Sequence, residues 1–249
     1  MKRAGIIATA ALLIAALHFP LAMAAPSIPA YISAAVADSA RPAEDRQRDA
    51  DRKPAETLAF AGVKPGDTVI ELAPGRGYYT RLLSAVVGPK GKVYAISSPP
   101  KPDAPPPPVQ AIAADPHYSN VSVNLQRIAE LKLPPGTDLV WTSQNYHDFH
   151  NLPDVEVATI NHAVFAALKS GGTYLVLDHA AEAGSGVRDT NTLHRIDEET
   201  VKNEVTSVGF KLASESDILR HKSDAHTVKV FDPEIRGHTD QFVLKFKKP

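Results

Sequence analysis

The stretch ELAPGRGYYT, residues 71–80, combines a carboxylate with closely spaced small residues. It follows an apolar run and precedes a helical pattern, so Gly75 and Gly77 fall in a strand-to-helix turn. Glycine in such a turn lets the backbone approach a ligand, because no Cβ stands in the way. We therefore predict a cofactor site at this turn.

The spacing of the glycines distinguishes three kinds of nucleotide site. A phosphate-binding loop ends in Gly-Lys followed by Ser or Thr, which this stretch lacks. A dinucleotide fingerprint has a third glycine where this sequence has Thr80, and an acid at the end of the second strand, where Ser97 stands. The third pattern is an acid at the end of the first strand followed by G-x-G, and Glu71 with Gly75 and Gly77 fits it.

From residue 54 onward, apolar runs alternate with helical patterns. Four runs predict buried strands: GDTVIEL (66–72), GKVYAIS (91–97), DLVWTS (138–143) and GGTYLVLD (171–178). Strands that are apolar throughout are typical of a parallel sheet with helices on both faces. At the end of the chain, FKLASES (210–216) and FVLKFKK (242–248) predict a closing antiparallel hairpin. We expect residues 54–249 to form one α/β domain.

The first 24 residues have the three parts of a secretory signal peptide. A charged start, MKR, precedes an apolar stretch that ends at Leu21, and AMA at residues 22–24 forms a cleavage site. An uncleaved membrane anchor is the alternative, but Pro20 and the cleavage site favour a signal. We expect an exported, periplasmic protein with no stable membrane insertion after cleavage.

The composition excludes several classes of site. The chain has no cysteine, which rules out disulfides, thiolate metal ligands and a cysteine nucleophile. Because Lys2 and Arg3 are the charged residues of the signal, 25 of the 27 basic residues remain after cleavage, against 28 acidic ones. This balance gives no electrostatic footprint for nucleic acid.

Residues 25–53 lie between the signal and the domain, and we predict a charged, helical extension there. Within it, residues 41–53 (RPAEDRQRDADRK) have almost no apolar side chains. A solvated helix or linker is one interpretation of such a segment. A lid over the cofactor site is the other, because the segment runs directly into the domain.

Three stretches resemble a bacterial group of predicted methyltransferases that carry export signals: residues 52–84, 144–151 and 237–249. The first motif, Glu71 through Gly77, resembles that of class I S-adenosylmethionine-dependent methyltransferases, and the order of strands and helices is similar to theirs. The resemblance implies a Rossmann-like class I methyltransferase fold. Its sheet would be seven-stranded and mostly parallel with a C-terminal antiparallel hairpin, and its cofactor S-adenosylmethionine.

The resemblance also implies roles for the cofactor site. Glu71 would bind the ammonium group of S-adenosylmethionine directly or through water, and Ala73, Gly75 and Gly77 would let the backbone approach its methionine part. An acid that usually holds both ribose hydroxyls is replaced by Ser97, which offers one hydroxyl. Ser97 with water, a residue such as Asp103 folding back, or weak affinity are the alternatives.

Two further clusters are placed for chemistry at strand ends. Methyl transfer is an in-line displacement, so the enzyme positions a nucleophile and, where needed, removes its proton. His147 is the candidate general base, with helix capping or a core role as its alternative. Asn145 and Tyr146 are expected to line the cofactor or acceptor pocket.

Asp178 and His179 stand at the end of the predicted strand GGTYLVLD (171–178) and complete the candidate catalytic set. With His147 and His194 they are also residue types that ligate zinc, iron or manganese. No compact ligand spacing such as H-E-x-x-H occurs among them. We therefore predict no metal site.

Two functions remain open. The first is methyl transfer from S-adenosylmethionine to a small-molecule acceptor, which Glu71, Gly75 and Gly77 favour. The second is an exported, non-catalytic ligand-binding protein that retains the methyltransferase fold, which Ser97 favours.

Overall fold

The computed structural model describes residues 27–249. The predicted signal peptide, residues 1–24, lies outside them, so the export of the protein stays a prediction. Between residues 27 and 249, no helix combines the length and the apolar character needed to cross a membrane.

Within residues 27–249, seven strands form one sheet in the order β3-β2-β1-β4-β5-β7-β6. The strands β1 to β5 run parallel to one another, and β7 runs antiparallel to both β5 and β6. This confirms the mostly parallel seven-stranded sheet with a C-terminal antiparallel hairpin. The strands are β1 (Thr68–Leu72), β2 (Lys92–Ser97), β3 (Val121–Leu125), β4 (Thr137–Ser143), β5 (Leu168–His179), β6 (Lys211–Ser216) and β7 (Gln241–Lys247).

Nine α-helices and two short 3-10 helices, Pro116–Tyr118 and Ile128–Glu130, are found between residues 27 and 249. The α-helices are α1 (Ala30–Val36), α2 (Ala43–Gln47), α3 (Asp49–Arg52), α4 (Pro54–Ala61), α5 (Tyr78–Val87), α6 (Val109–Ala114), α7 (Tyr146–Phe149), α8 (Val157–Ala167) and α9 (Glu198–Ser207).

The core lies on both faces of the sheet, because successive strand residues point to opposite sides. On β1, Val69 packs in one cluster with side chains of α1, α4, α5 and α6. The next residue, Ile70, packs in a second cluster with α7, α8 and α9. Both side chains are fully buried. The sheet thus lies between two layers of helices, and this burial on both faces explains why its central strands are apolar throughout.

β3 and α9 are among the elements that the sequence-based prediction did not locate. β3 is an edge strand in which Val121 alone is buried, so it lacks the continuous apolar run of the central strands. α9 buries only Val201 and Val205, which is too narrow an apolar stripe to stand out from its polar sequence.

The N-terminal extension packs on the domain. Ile32 of α1 is fully buried in the cluster that α4 and α5 share. Arg41 is 2% exposed, and its guanidinium donates to both carboxylate oxygens of Asp49, at 2.9 and 2.7 Å. The phenol of Tyr78, on α5, donates to the same carboxylate at 2.6 Å. Residues 41–53 are therefore fastened to the domain, unlike a solvated linker.

Candidate functional site

A cavity of about 490 Å³ opens at the carboxyl ends of β1, β2 and β4. We call it the strand-end cavity. Open α/β sheets bind their ligands at this edge. The residues of its wall include Glu71, Ala73, Gly75, Ser97, Gln144 and Asn145.

Glu71 is the buried carboxylate of the strand-end cavity, with 3% of its surface exposed. Its Oε2 accepts a hydrogen bond of 2.5 Å from the hydroxyl of Thr80. Burial raises the pKa of Glu71 to about 7, because the charged form loses water and gains one hydroxyl partner within residues 27–249. A cationic group of a ligand would restore the charged form. Thr80, which replaces the third glycine of a dinucleotide fingerprint, thus has a local role.

The turn after β1 is held in an unusual backbone conformation. Ala73 has φ 49°, Gly75 φ 57° and Gly77 φ 80°, a left-handed region that side chains with a Cβ rarely adopt. The side-chain nitrogen of Asn145 lies 3.2 Å from the carbonyl of Leu72 and 3.1 Å from that of Ala73. Asn145 lines the strand-end cavity, and its amide also holds the strained turn.

The two glycines of the turn differ in what a side chain would meet. A Cβ at Gly75 would have no atom within 4 Å, whereas a Cβ at Gly77 would lie 2.1 Å from Cδ1 of Ile112. Gly75 thus borders open space in which a ligand could approach. At Gly77 the physical reason for glycine is different from the predicted one, because α6 rather than a ligand fills the space.

Ser97 ends β2 and lines the strand-end cavity, together with Ser98. Asp103, the acid expected to fold back, is exposed and is not part of this wall. The position that would hold a ribose therefore offers hydroxyl groups rather than a carboxylate.

A second cavity, of about 570 Å³, lies beside the first at the carboxyl end of β5 and the start of β7. We call it the hairpin cavity. His179, Phe231, Arg236, Thr239 and Gln241 belong to its wall alone. Both cavities share Arg48, Arg52, Arg76 and Gln144. Arg48 and Arg52 thus place residues 41–53 over both cavities, and we call this segment the roof. Its interpretation as a lid stays a prediction.

A chain of hydrogen bonds runs from the roof to His179. Arg52 donates to Oε1 of Gln144 at 2.6 Å, and Nε2 of Gln144 donates to Oε1 of Gln241 at 3.0 Å. Nε2 of Gln241 donates to the hydroxyl of Thr239 at 3.3 Å, and that hydroxyl lies 2.8 Å from Nδ1 of His179. The side chains of Gln144 and Gln241 therefore form the partition between the two cavities.

The predicted catalytic residues are brought together around one buried carboxylate. Asp178, fully buried, accepts from the backbone nitrogens of His147 and His179, both at 2.8 Å. Its Oδ1 also lies 2.8 Å from Nδ1 of His147. Asp178 thus ties the start of α7 to the end of β5.

The pKa values of the two histidines beside Asp178 are shifted in opposite directions. Burial lowers the pKa of His147, but the carboxylates of Asp178 and Asp148 outweigh it and raise the pKa to about 10. For His179, burial dominates and lowers the pKa to about 4. At neutral pH, without a ligand, His147 is cationic and His179 neutral. Because His147 is also 2% exposed and lines neither cavity, its position does not suit the predicted general base.

Tyr146 points away from the cavities. Its hydroxyl donates to Glu204 at 3.0 Å and accepts from Asn161 at 2.8 Å, and its ring is fully buried against Phe149. The prediction that Tyr146 lines a ligand pocket is therefore wrong. Its role is to join α7 to α8 and α9.

Several residues of the two cavities carried no sequence signal. Arg236, Thr239 and Phe231 come from the segment before β7, which has no regular structure between residues 217 and 240. They reach the site through long-range packing, which residue spacing does not encode. By contrast, Gln144 begins the polar cluster QNYHDFH (144–150), part of the stretch 144–151 on which the resemblance to methyltransferases rests.

No protein-family model matches the sequence, and no curated protein matches it significantly. Solved structures do match. An S-adenosylmethionine-dependent methyltransferase from Aquifex aeolicus is 18% identical, with 80% of this chain and 89% of that one covered and a TM-score of 0.58. Fibrillarin from Aeropyrum pernix, with natively bound S-adenosyl-L-methionine, is 18% identical over 80% of this chain and 76% of that one, with a TM-score of 0.51.

The cyclase SpnF is similar to the same degree: 17% identity, 83% of this chain and 81% of that one, and a TM-score of 0.59. At these identities the likeness establishes the fold. The chain has the Rossmann-like fold of class I S-adenosylmethionine-dependent methyltransferases. Because a fold hosts more than one reaction, the activity has to be argued from the site.

Proposed function

We propose that this protein transfers a methyl group from S-adenosylmethionine to a small-molecule acceptor. The observation that carries the proposal is the pair of adjoining cavities, which share the wall of Arg52 and Gln144 at the carboxyl edge of the sheet. One cavity suits a methyl donor and the other an acceptor, so the two reactants would meet at the partition.

The residues of the strand-end cavity fit S-adenosylmethionine. Glu71 presents a buried carboxylate that a cationic ammonium group would stabilise. The open space beside Gly75 accommodates a close approach to the backbone. Ser97 and Ser98 offer hydroxyl groups to a ribose. The cofactor would supply an electrophilic methyl group on a sulfonium.

The hairpin cavity fits a small acceptor. Its volume lies in the range of small-molecule sites, and Phe231 adds an apolar surface to the polar side chains of Thr239 and Gln241. Of the three predicted catalytic residues, His179 lines this cavity and would contact the acceptor. Asp178 and His147 would act as positioning residues, because Asp178 fixes the backbone of both histidines.

We also propose that the protein is exported, on the strength of residues 1–24. A fusion of the full chain to a phosphatase that is active only outside the cytoplasm should be active. An inactive fusion in cells that contain the intact protein would contradict export.

Calorimetric titration of the purified protein with S-adenosylmethionine tests the proposed cofactor. We expect one equivalent to bind and Gly75→Val to abolish binding, because the new side chain enters the open space of the cavity. Gly136→Val is the matched control: Gly136 also has a left-handed φ, 76°, and a Cβ there meets nothing within 4 Å, but it lies outside both cavities. If the folded wild type does not bind S-adenosylmethionine, the proposed methyl transfer is wrong. The alternative, a non-catalytic ligand-binding protein, would then be favoured.

A further inference from the structure

His147, Asp148 and His194 bring three ligand atoms to one point between α7 and the segment after β5. Nε2 of His147 lies 3.3 Å from Nδ1 of His194 and 3.3 Å from Oδ1 of Asp148. Nδ1 of His194 lies 3.6 Å from the same oxygen. From these distances we propose that the three residues bind one zinc ion.

The distances match those of a tetrahedral site. Zinc bonds to imidazole nitrogen and carboxylate oxygen are about 2.0–2.2 Å long, and a tetrahedral angle then separates neighbouring ligand atoms by about 3.3–3.6 Å. The triangle of His147, Asp148 and His194 has these dimensions. Two imidazoles and one carboxylate are a set that zinc accepts while keeping its fourth position open.

Asp178 is placed to orient His147 for metal binding without being a ligand itself. In metal-binding histidines the second ring N–H usually donates a hydrogen bond to a carboxylate, which fixes the orientation of the ring. Asp178 lies 2.8 Å from Nδ1 of His147 and is fully buried, so Nε2 is directed to the cluster. The proposed ligand set differs from the one considered from the sequence, which included Asp178 and His179 as ligands and did not include Asp148. Nδ1 of His179 faces Thr239 instead.

The third ligand is held in a strained backbone conformation. His194 has φ 56°, a backbone conformation that is strained for a residue with a Cβ and persists only where the surroundings enforce it. The next residue, Arg195, is fully buried and bonds to Asp224 at 2.8 Å. The ring of Phe231 packs on the imidazole with centroids 4.8 Å apart. These contacts fix the ring of His194 beside His147.

The proposed site borders the strand-end cavity, because Asp148 also belongs to its wall. About half of the Asp148 side chain and a quarter of the His194 side chain are exposed, so an ion can enter from solvent. The proposal does not rest on the proposed methyl transfer, and it can be tested without S-adenosylmethionine.

The test uses purified protein that has been stripped with a chelator and titrated with cobalt(II), a spectroscopic substitute for zinc, and with zinc in competition. We expect one equivalent of cobalt with visible absorption bands of a four-coordinate ion, displaced by zinc. His194→Ala and Asp148→Asn should each weaken zinc binding at least about tenfold. At the same zinc concentration, zinc should raise the Tm of the wild type more than that of either variant.

His117→Ala is the matched control. Nε2 of His117 also lies 2.8 Å from a carboxylate oxygen, that of Asp38, but it belongs to no cluster of three ligands among residues 27–249. This variant should bind zinc as the wild type does. Because His194 is partly exposed, its variant should fold, and its unchanged far-UV spectrum would verify that. Failure of the wild type to bind one equivalent, or equal affinity in His194→Ala and Asp148→Asn to that of the wild type, would overturn the proposal.

Discussion

The strand-end cavity and the hairpin cavity share a wall, but they depend on different kinds of interaction. The strand-end cavity is formed chiefly by one contiguous turn, residues 71–79, and by the ends of neighbouring strands. The hairpin cavity is assembled from residues 44–52, 76, 144, 179 and 230–241. The first is determined by local backbone conformation, and the second by long-range polar contacts. Variants should therefore affect the two cavities by different mechanisms.

The largest effect is expected from the buried ion pair that holds the segment before β7, which contributes Phe231, Arg236 and Thr239 to the hairpin cavity. Arg195 is fully buried and donates to Asp224 at 2.8 and 3.1 Å. Arg195→Met would leave the carboxylate of Asp224 buried without its counterion. We expect a loss of about 3–5 kcal/mol in the free energy of unfolding, measured by urea denaturation.

The double variant Arg195→Met/Asp224→Leu serves as its control. Because it removes both charges, it should be less destabilised than the single variant. Affinity of the folded single variant for S-adenosylmethionine should stay within about twofold, since the strand-end cavity does not use this pair. A single variant as stable as the wild type would remove the proposed dependence of the hairpin region on buried charge.

The second-largest effect is the pH dependence that Glu71 gives to the free energy of unfolding. Its pKa is about 7 in the folded protein, against the ordinary glutamate value of 4.5 that applies to the unfolded chain. Between these values the folded state holds a proton that the unfolded state has lost. Stability from this proton is fully present below pH 4.5 and is lost as the pH rises through 7, by about 3 kcal/mol.

Glu71→Gln keeps the shape of the side chain and removes the titration. The stability of this variant relative to the wild type should therefore increase from pH 4.5 to pH 7, measured by denaturant unfolding at each pH. S-adenosylmethionine should bind the wild type less tightly at acidic pH, because an ammonium group needs the ionised carboxylate. Parallel stability profiles for the two proteins would contradict the assigned burial of Glu71.

A smaller effect is expected from the turn that forms the strand-end cavity. Gly77→Ala would place its Cβ 2.1 Å from Cδ1 of Ile112 at a left-handed φ of 80°. We expect a loss of about 2 kcal/mol in thermal or urea unfolding. Adding Ile112→Val removes the clashing atom and should recover part of that loss. Gly75→Ala, with open space around it, should cost about 1 kcal/mol, and an equal cost for both glycines would contradict the packing explanation.

The smallest effect is expected where the two cavities meet. Arg52→Ala removes the 2.6 Å hydrogen bond to Gln144 and the guanidinium that lies 4.6 Å from the ring centroid of Tyr78. We expect a loss of about 1 kcal/mol in unfolding experiments. Arg46→Ala, an exposed neighbour on the same segment, should be neutral within about 0.5 kcal/mol. Equal stability of the two variants would mean that the roof is not fastened through Arg52.

The fold was largely predictable because its central strands are buried on both faces and their apolar runs are unbroken. The turn at Glu71 was predictable for a related reason: its glycines are required by local backbone conformation. Phe231, Thr239 and Arg236 were not, because they reach the hairpin cavity through a segment without periodic structure. Tyr146 was misplaced since adjacent residues of the short helix α7 face different directions, which the letters QNYHDFH do not reveal.

The hydrogen-bond chain at the partition has a direction. Arginine only donates, so the amide of Gln144 is oriented with its oxygen toward Arg52, and Gln241 must in turn donate to Thr239. The Thr239 side chain, 1% exposed, has the unprotonated Nδ1 of His179 as its remaining acceptor. The hydrogen of neutral His179 therefore resides on Nε2. One guanidinium in the roof thus selects the tautomer of a histidine four side chains away and makes its Nε2 a hydrogen-bond donor rather than a base.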